Sequence, residues 1–311
     1  MNEKFSQNKI LVGATLAILA TLIWSGNFII ARGSKNDIPP ITLAFYRWLS
    51  ATIILLPFTW HLFIKEILML KKHFWYFLLT AASGITLFNT FVYIAGHTTE
   101  AINMALLGTT TSPIMSVILA RIFLKEPVPL TRVIGMLICI AGILLLLSKG
   151  SIDILLSFSF TEGDWWMLAA ALTFAIYNVC VRKKPSAMSS RNFLFTIFLI
   201  GTALLLPFYI YELKTKGGFE INTQNIGAIF YLGLGASVIC FLLWNKSIAY
   251  LGAGRASLFG NLIPVFSTIE AVLFLKKKVS LIHLYSFILV IAGLIIANLQ
   301  IKSFIQVLNK K

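Results

Sequence analysis

The second half of this 311-residue chain repeats the first half at an offset of 151 residues. The offset aligns three pairs of identical residues and one identical triplet: Asn27 with Asn178, Gly84 with Gly235, Pro113 with Pro264, and Ile140-Ala141-Gly142 with Ile291-Ala292-Gly293. Each half contains five apolar runs long enough to cross a bilayer. Because five is odd, the second half must enter the membrane in the opposite direction to the first. The sequence therefore predicts two inverted repeats of five helices.

The apolar runs account for most of the chain. Hydrophobic residues make up 58% of it and charged residues 12%, whereas about 25% of a typical soluble domain is charged. This composition predicts an all-α integral membrane protein with ten spans: 10–31, 40–60, 74–96, 101–123, 130–148, 165–182, 191–211, 225–250, 254–275 and 281–301. The corresponding divisions are an N-terminal segment 1–9, a first repeat 10–148, a connecting loop 149–164, a second repeat 165–301 and a C-terminal tail 302–311.

Basic residues are unevenly distributed between the two sides of the predicted bundle. With the N terminus inside, most of the 26 lysines and arginines lie on the inner side. Excess positive charge marks cytoplasmic loops, so the sequence predicts that both termini are cytoplasmic. The lysine triplet at 276–278 is an exception, because it would face outward.

Several other classes of protein are disfavoured. The net charge of +15 comes from short basic groups between apolar runs, not from a basic patch with interleaved aromatic residues as in nucleic-acid-binding proteins. Cys139, Cys180 and Cys240 each lie within an apolar run, and the four histidines have no ligand spacing. We therefore expect no disulfide, no metal and no cofactor. Without a nucleophile and base, paired carboxylates or a phosphate loop, an enzyme is not indicated.

Small residues recur at equivalent positions of the fourth and ninth spans. The two strips, each followed four residues later by a proline, are Ala101, Ala105, Thr109 and Pro113, and Gly252, Ala256, Gly260 and Pro264. Small residues let helices approach closely, and proline removes a backbone hydrogen bond. The pattern predicts either tight packing with kinks, or two helices that line the transport path with matched hinges at Pro113 and Pro264.

The order and spacing of several short motifs resemble the EamA family of the drug/metabolite transporter superfamily. The motifs are Trp24-Ser25-Gly26-Asn27-Phe28, Phe45-Tyr46-Arg47-Trp48, Pro113 with Leu124-Lys125-Glu126, Gly135, and Ile140-Ala141-Gly142. The resemblance covers about residues 10–300. The chain departs from the family pattern at Lys277, where the family often has an acid equivalent to Glu126.

The resemblance implies a secondary transporter in the bacterial inner membrane that moves small organic metabolites. Export of amino acids or related compounds is the first expectation. Uptake or exchange of a nucleoside-like metabolite such as S-adenosylmethionine, or efflux of drugs or cations, is the alternative. An inverted repeat without a charge ring or filter favours alternating access over a channel.

Two charged residues lie well inside predicted spans, where charge is costly. Arg47 lies roughly 10 Å into the second span at about 1.5 Å per residue. It can extend to the interface, clamp helices together or meet an anionic group of the substrate. Glu270 has apolar neighbours on both sides. Its carboxyl suits proton coupling, a counter-ion for a cationic substrate, or an ion pair with the lysines at 276–278.

Neutral polar and aromatic residues complete the predicted pathway. Asn27 and Asn178 are equivalent in the two repeats, as are Tyr93 and Trp244. Such residues either pair between helices or line a central cavity that stacks on planar or cationic groups. The full set of pathway candidates is Trp24, Asn27, Tyr46, Arg47, Asn89, Tyr93, Tyr177, Asn178, Trp244, Asn261 and Glu270.

The predicted partners are a small-molecule substrate and the lipid bilayer, with no nucleic acid. Protons are a candidate coupling ion, and the chain is expected to be a monomer or a weak homodimer. The residues leave open the substrate, the direction of transport and the coupling.

Overall fold

The part of the chain that the structure describes contains ten long helical regions. The computed structural model describes residues 2–33, 37–99, 101–156, 159–275 and 281–299. The helices are α1 (Asn2–Gly33), α2 (Pro40–Lys72), α3 (Phe74–Thr98), α4 (Ala101–Leu124), α5 (Leu130–Leu147), α6 (Glu162–Arg182), α7 (Ser190–Lys216), α8 (Thr223–Leu251), the segmented α9 described below, and α10 (Leu281–Asn298). A short helix, Ile152–Leu156, lies in the connection between α5 and α6. The described ranges contain no strand, and the predicted all-α membrane fold is confirmed.

The ninth helical region is broken into segments. It consists of Ala253–Leu258, a 3₁₀ segment Phe259–Leu262, and Ile263–Leu275. Within the described residues, nine continuous helices are long and apolar enough to cross a membrane. The predicted span 254–275 is not among these nine, because the 3₁₀ segment divides it into pieces that are each too short to cross.

Several helices extend beyond their predicted spans, and α1, for example, begins at Asn2 rather than at 10. Helix α2 continues from the predicted end at 60 to Lys72, and α7 continues from 211 to Lys216. Apolar runs measure the thickness of the hydrocarbon core, and a helix need not end where that core ends. Pro57 and Pro207 lie inside these helices without ending them.

Helices α2 and α7, which are equivalent in the two repeats, pack antiparallel. Near the C-terminal end of α2, Glu66 accepts a hydrogen bond from the backbone N–H of Ser189, which precedes α7. Near the C-terminal end of α7, Glu212 accepts one from the backbone N–H of Thr42, at the start of α2. Each carboxylate thus satisfies donors at the positive end of the other helix. Equivalent helices that run in opposite directions are what an inverted repeat requires.

A second antiparallel pair of equivalent helices, α5 and α10, packs through small residues. The Cys139 thiol donates to the carbonyl of Val290, its equivalent at the offset of 151 residues, over 3.4 Å. A Cβ added to Gly135 would lie 2.4 Å from the backbone of Gly293, and one added to Gly142 would lie 3.0 Å from the carbonyl of Ser286. Glycine therefore allows the two backbones to approach as close as membrane helices can.

Each repeat also contains a π-helical stretch at the same place. These segments are Ala82–Leu87 in α3 and Tyr231–Ile239 in α8, and the offset of 151 residues superimposes the first on the second. π-Helical turns are rare and occur often at functional sites. Asn89 follows the first segment, and both segments face the centre of the bundle through buried residues.

Candidate functional site

A cavity lies at the centre of the bundle, where helices of both repeats meet. Its volume is about 60 Å³, which is room for about four water molecules at roughly 15 Å³ each. Six of the residues predicted from the sequence line it: Trp24, Asn27, Arg47, Asn89, Pro113 and Trp244. The sequence prediction missed other lining residues, among them Phe88, Ser112, Met167, Phe174 and Ser257. Helical spacing is the signal that could have found several of these, because Phe88 adjoins Asn89 and Phe174 precedes Asn178 by one turn.

Aromatic side chains form one wall of the cavity. The rings of Trp24 and Trp244, one from each repeat, are 5.0 Å apart. Phe174 packs edge-on against Trp24 at 5.7 Å and stacks on Phe88 at 4.5 Å. The indole nitrogen of Trp24 donates to the carbonyl of Ala236 over 2.8 Å, which fixes the orientation of that ring. Such a wall can stack on a planar or apolar group and attract a cation to its faces.

The guanidinium of Arg47 faces this wall and is 1% exposed. Its Nη1 is 2.8 Å from the side-chain oxygens of Asn27 and Asn89 and 2.9 Å from the hydroxyl of Tyr93. The other two nitrogens donate to α8: Nε to Ser237 over 2.8 Å and Nη2 to the carbonyl of Ala236 over 2.9 Å. Arg47 thereby connects α2 to α1, α3 and the π-helical segment of α8.

Within the described residues, no carboxylate accepts a hydrogen bond from Arg47 or forms an ion pair with it. Every hydrogen-bond acceptor of Arg47 named above is neutral. An ion buried without a counter-charge costs several kcal/mol even when it is well hydrogen-bonded. The Nδ2 of Asn89, which is also buried at the cavity, has no hydrogen-bond partner among the described residues. The cavity thus contains one uncompensated positive charge and one unused amide donor.

The same pair of positions is joined by a hydrogen bond in each repeat. Tyr93 donates to the side-chain oxygen of Asn27 over 3.3 Å, and Trp244 donates to that of Asn178 over 2.9 Å. Asn178 also donates to Ser116 on α4 over 3.1 Å. Asn27 and Trp244 line the cavity, whereas their partners Tyr93 and Asn178 lie behind its wall. The repeat therefore preserves the pair but exchanges which member faces the cavity.

The remaining predicted pathway residues lie away from the cavity. The hydroxyl of Tyr46 is 3.0 Å from that of Tyr209 on α7, and Tyr177 donates to the Asn245 side chain over 2.8 Å. The remaining two lie on α9: Asn261 is buried, and Glu270 contacts Ser25. The predicted hinge Pro264 is also buried on α9, two residues after the 3₁₀ segment. The lysines at 276–278 lie outside the described residues.

A carboxylate connects the two repeats at the start of α9. Glu126, in the connection between α4 and α5, accepts from the backbone N–H groups of Ala253 and Gly254 over 2.9 and 3.1 Å. Gly252 adopts a φ of +89°, and a Cβ there would lie 2.7 Å from the Glu126 carboxylate. A negative charge at the N-terminus of a helix is favourable. Glu126 therefore ties the end of α4 to the start of its equivalent helix.

The described ranges contain no group of three or more His, Cys, Asp and Glu side chains that could hold a metal ion. The polar groups in and behind the cavity wall are amides, hydroxyls and one guanidinium. They can bind and orient a small molecule through hydrogen bonds and charge.

Comparisons with known proteins agree with this architecture. The sequence model of the EamA-like transporter family matches residues 11–148 and 161–299. An uncharacterized transporter of Archaeoglobus fulgidus is 27% identical over 89% of this chain and 94% of its own length. A probable amino-acid metabolite efflux pump of Escherichia coli is 22% identical over 90% of this chain and 93% of its own length. One solved crystal structure, 18% identical, superimposes with a TM-score of 0.75 over 92% of this chain and 96% of that one.

Proposed function

The chain belongs to the EamA-like transporter family, and on that premise we propose that it exports amino acids, or closely related carboxylates, by alternating access. The multi-pass fold and the family make it a membrane transporter. The substrate class, the direction and the mechanism are the proposal, and the central cavity supports them.

The uncompensated charge of Arg47 is the observation that carries the substrate class. A substrate carboxylate placed in the cavity would supply the missing counter-charge, and a hydrogen bond from guanidinium to carboxylate is stronger than the bond to a neutral acceptor that it would replace. The free Nδ2 of Asn89 would add a further donor on the same side. Binding an anion here replaces a costly isolated charge with a paired one.

The aromatic wall can bind the other groups of the substrate, its ammonium group and its side chain. An α-ammonium group opposite Arg47 would meet the ring faces of Trp24 and Trp244, to which a cation is attracted. An apolar or planar side chain would pack on Phe174 and Phe88. A zwitterion with an apolar side chain fits this arrangement better than a simple cation, which Arg47 would repel.

The present cavity is smaller than such a substrate. Space for about four water molecules does not admit an amino acid with a large apolar side chain, so binding of such a substrate requires the helices around the cavity to move apart. We propose that the two repeats, 10–148 and 165–301, move relative to each other around this site, as inverted repeats do in other transporters. Pro113 and Pro264 would act as the matched hinges, and the bond from Glu126 to α9 would break and re-form on the cytoplasmic side.

We propose that the protein lies in a cell membrane with both termini on the cytoplasmic side, because most of its basic residues lie on that side. Export agrees with the name of the Escherichia coli relative, a probable amino-acid metabolite efflux pump.

Counterflow into proteoliposomes tests the substrate class. Vesicles preloaded with an amino-acid mixture should take up a labelled aromatic or aliphatic amino acid. Unlabelled amino acids should compete with the labelled one for uptake, whereas the corresponding amines, which lack the carboxylate, should not. Equal competition by the amines, or transport of nucleoside-like or cationic drugs alone, would refute carboxylate recognition.

Arginine variants test the site. Arg47→Gln should raise the concentration of substrate needed for half-maximal exchange by at least tenfold, since about 1.5–3 kcal/mol accompanies each hydrogen bond to a charged group. Arg121→Gln is the matched control, because Arg121 is an exposed arginine near the end of α4. Equal behaviour of the two variants, in protein that folds, would remove Arg47 from the binding site.

A further inference from the structure

Glu270 is half-buried, and its carboxyl group has surroundings unlike those of the other carboxyl groups that connect helices. It lies on the last segment of α9, Ile263–Leu275, and its Oε1 is 2.6 Å from the hydroxyl of Ser25 on α1. Its Oε2 is fully enclosed and has no hydrogen-bond partner among the described residues.

The other acidic side chains that tie helices together are held by backbone amides. Glu66, Glu126, Asp164 and Glu212 each accept at least one hydrogen bond from a backbone N–H. A backbone N–H can donate but cannot accept, so these four groups are bound as acceptors, which suits an ionised carboxylate. Glu270 receives no backbone donor in the part of the chain that the structure describes. It also makes no ion pair there.

Among the described residues, the single hydrogen-bond partner of Glu270 is already engaged. The oxygen of the Ser25 hydroxyl lies 2.5 Å from the carbonyl oxygen of Leu22, as well as 2.6 Å from Glu270. A carbonyl oxygen can only accept, and a hydroxyl has one proton to donate. An ionised Glu270 would compete with the Leu22 carbonyl for that one proton and would have no other donor, which is costly for an enclosed charge. A proton on Glu270 gives each of the two contacts a donor of its own.

We propose that Glu270 is a proton-binding site: in this conformation it is a neutral carboxylic acid that donates to Ser25, which in turn donates to Leu22. Loss of that proton to water would leave a carboxylate facing the Ser25 hydroxyl as its sole donor. The hydroxyl would then have to turn away from Leu22. Ser25 is next to Trp24 and two residues from Asn27, both of which line the cavity. Binding and release of the proton thus act on the helix that forms the substrate site.

Few other charged groups face Glu270 among the described side chains, which do not include Arg32, Lys35 or the lysines at 276–278. On α1 and α4, the helices that pack against this segment, the charged side chains within 8–27 and 104–124 are Lys9 and Arg121. Lys9 precedes Ser25 by sixteen residues, or about 24 Å of helix at roughly 1.5 Å per residue. Arg121 is in the last turn of α4. On α8, Tyr231 donates to the carbonyl of Ile23 over 2.6 Å and lies within Coulombic range of both Glu270 and Arg47.

Infrared spectroscopy tests protonation without any substrate, and so independently of the proposed function. The purified protein at neutral pH should show the C=O stretching band of a protonated carboxylic acid. Glu270→Gln should remove the band. Glu212→Gln, the matched control at a carboxylate bound by a backbone N–H, should leave it. Ser25→Ala should shift the frequency of the band, because the acid loses its hydrogen-bond acceptor. If Glu270→Gln does not fold, the Ser25→Ala variant still tests the assignment. A band that survives in Glu270→Gln, or its absence from the unaltered protein, would overturn the proposal.

The coupling role rests on the proposed function and needs transport. In proteoliposomes, Glu270→Gln should lose accumulation driven by a pH gradient while it retains at least half of the substrate exchange. Gradient-driven accumulation that survives in this variant would overturn the coupling role. Failure of exchange in the unaltered protein with every carboxylate tried would instead count against the proposed function, and the infrared result would stand.

Discussion

The two equivalent glycines of the π-helical segments, Gly84 and Gly235, should respond oppositely to the same substitution. A Cβ at Gly84 would lie 2.1 Å from Cδ2 of Tyr177, 2.5 Å from Cγ and 2.7 Å from Cε2. A Cβ at Gly235 would meet its first neighbour, Ile23, at 3.6 Å, and the ring of Tyr231 at 3.7 Å. Since carbon atoms pack best at about 3.5–4.0 Å, alanine fits at Gly235. At Gly84 it would require the Tyr177 ring to move by more than 1 Å.

The free-energy difference between the two variants isolates this clash. Replacing a helical glycine by alanine stabilises the helix by about 0.5–1 kcal/mol, and this gain is common to both positions. Tyr177 is 0% exposed and bonded to Asn245, so the ring has no free space to enter. Overpacking of such a site costs about 1–3 kcal/mol. We therefore expect Gly84→Ala to be about 1–3 kcal/mol less stable to unfolding than Gly235→Ala.

Denaturant unfolding of the detergent-solubilised protein measures this difference. A double-mutant cycle identifies the clash: the cost of Gly84→Ala should persist in a Tyr177→Phe background, which retains the ring, and disappear in a Tyr177→Ala background, which removes it. If the two glycine variants differed by less than about 0.5 kcal/mol, or if Tyr177→Ala gave no relief, the packing argument would be wrong.

Three further predictions concern the helix connection, the cavity and the topology. Glu126→Ala should lower the free energy of unfolding by about 2 kcal/mol, because two backbone N–H groups lose a charged acceptor; an unchanged denaturant midpoint would contradict this role. In a background without the native cysteines, Asn27→Cys should react with a small polar thiol reagent faster than Asn178→Cys, since Asn27 lines the cavity and Asn178 lies behind its wall; equal rates would show that the cavity differs from the one described. Reporter fusions should place both termini in the cytoplasm and the connection 217–222 after α7 outside, and termini on opposite sides would refute the inverted repeat.

The amino-acid sequence by itself determined the class of fold, because hydrophobic length and repetition are properties of the chain alone. Ten apolar runs in two odd-numbered sets require a helical membrane protein whose halves face opposite ways. The same information identified Asn27 and Asn178, and Tyr93 and Trp244, as equivalent positions of the two repeats. It could not give helix ends outside the hydrocarbon core, such as the extension of α2 to Lys72, because nothing in an apolar count marks them.

The tertiary structure alone decided which polar residues meet. Rotation about a helix axis, set by packing against neighbouring helices, determines whether a side chain faces the cavity or the interior. Trp24, Asn27, Arg47, Asn89 and Trp244 therefore line the cavity, whereas the equally polar candidates Tyr46, Tyr177 and Asn261 do not. The same packing placed Arg47 among neutral acceptors and Glu270 beside one engaged hydroxyl. Those two placements depend on contacts between helices distant in the chain, because the chemistry of a buried charge is set by its neighbours in space.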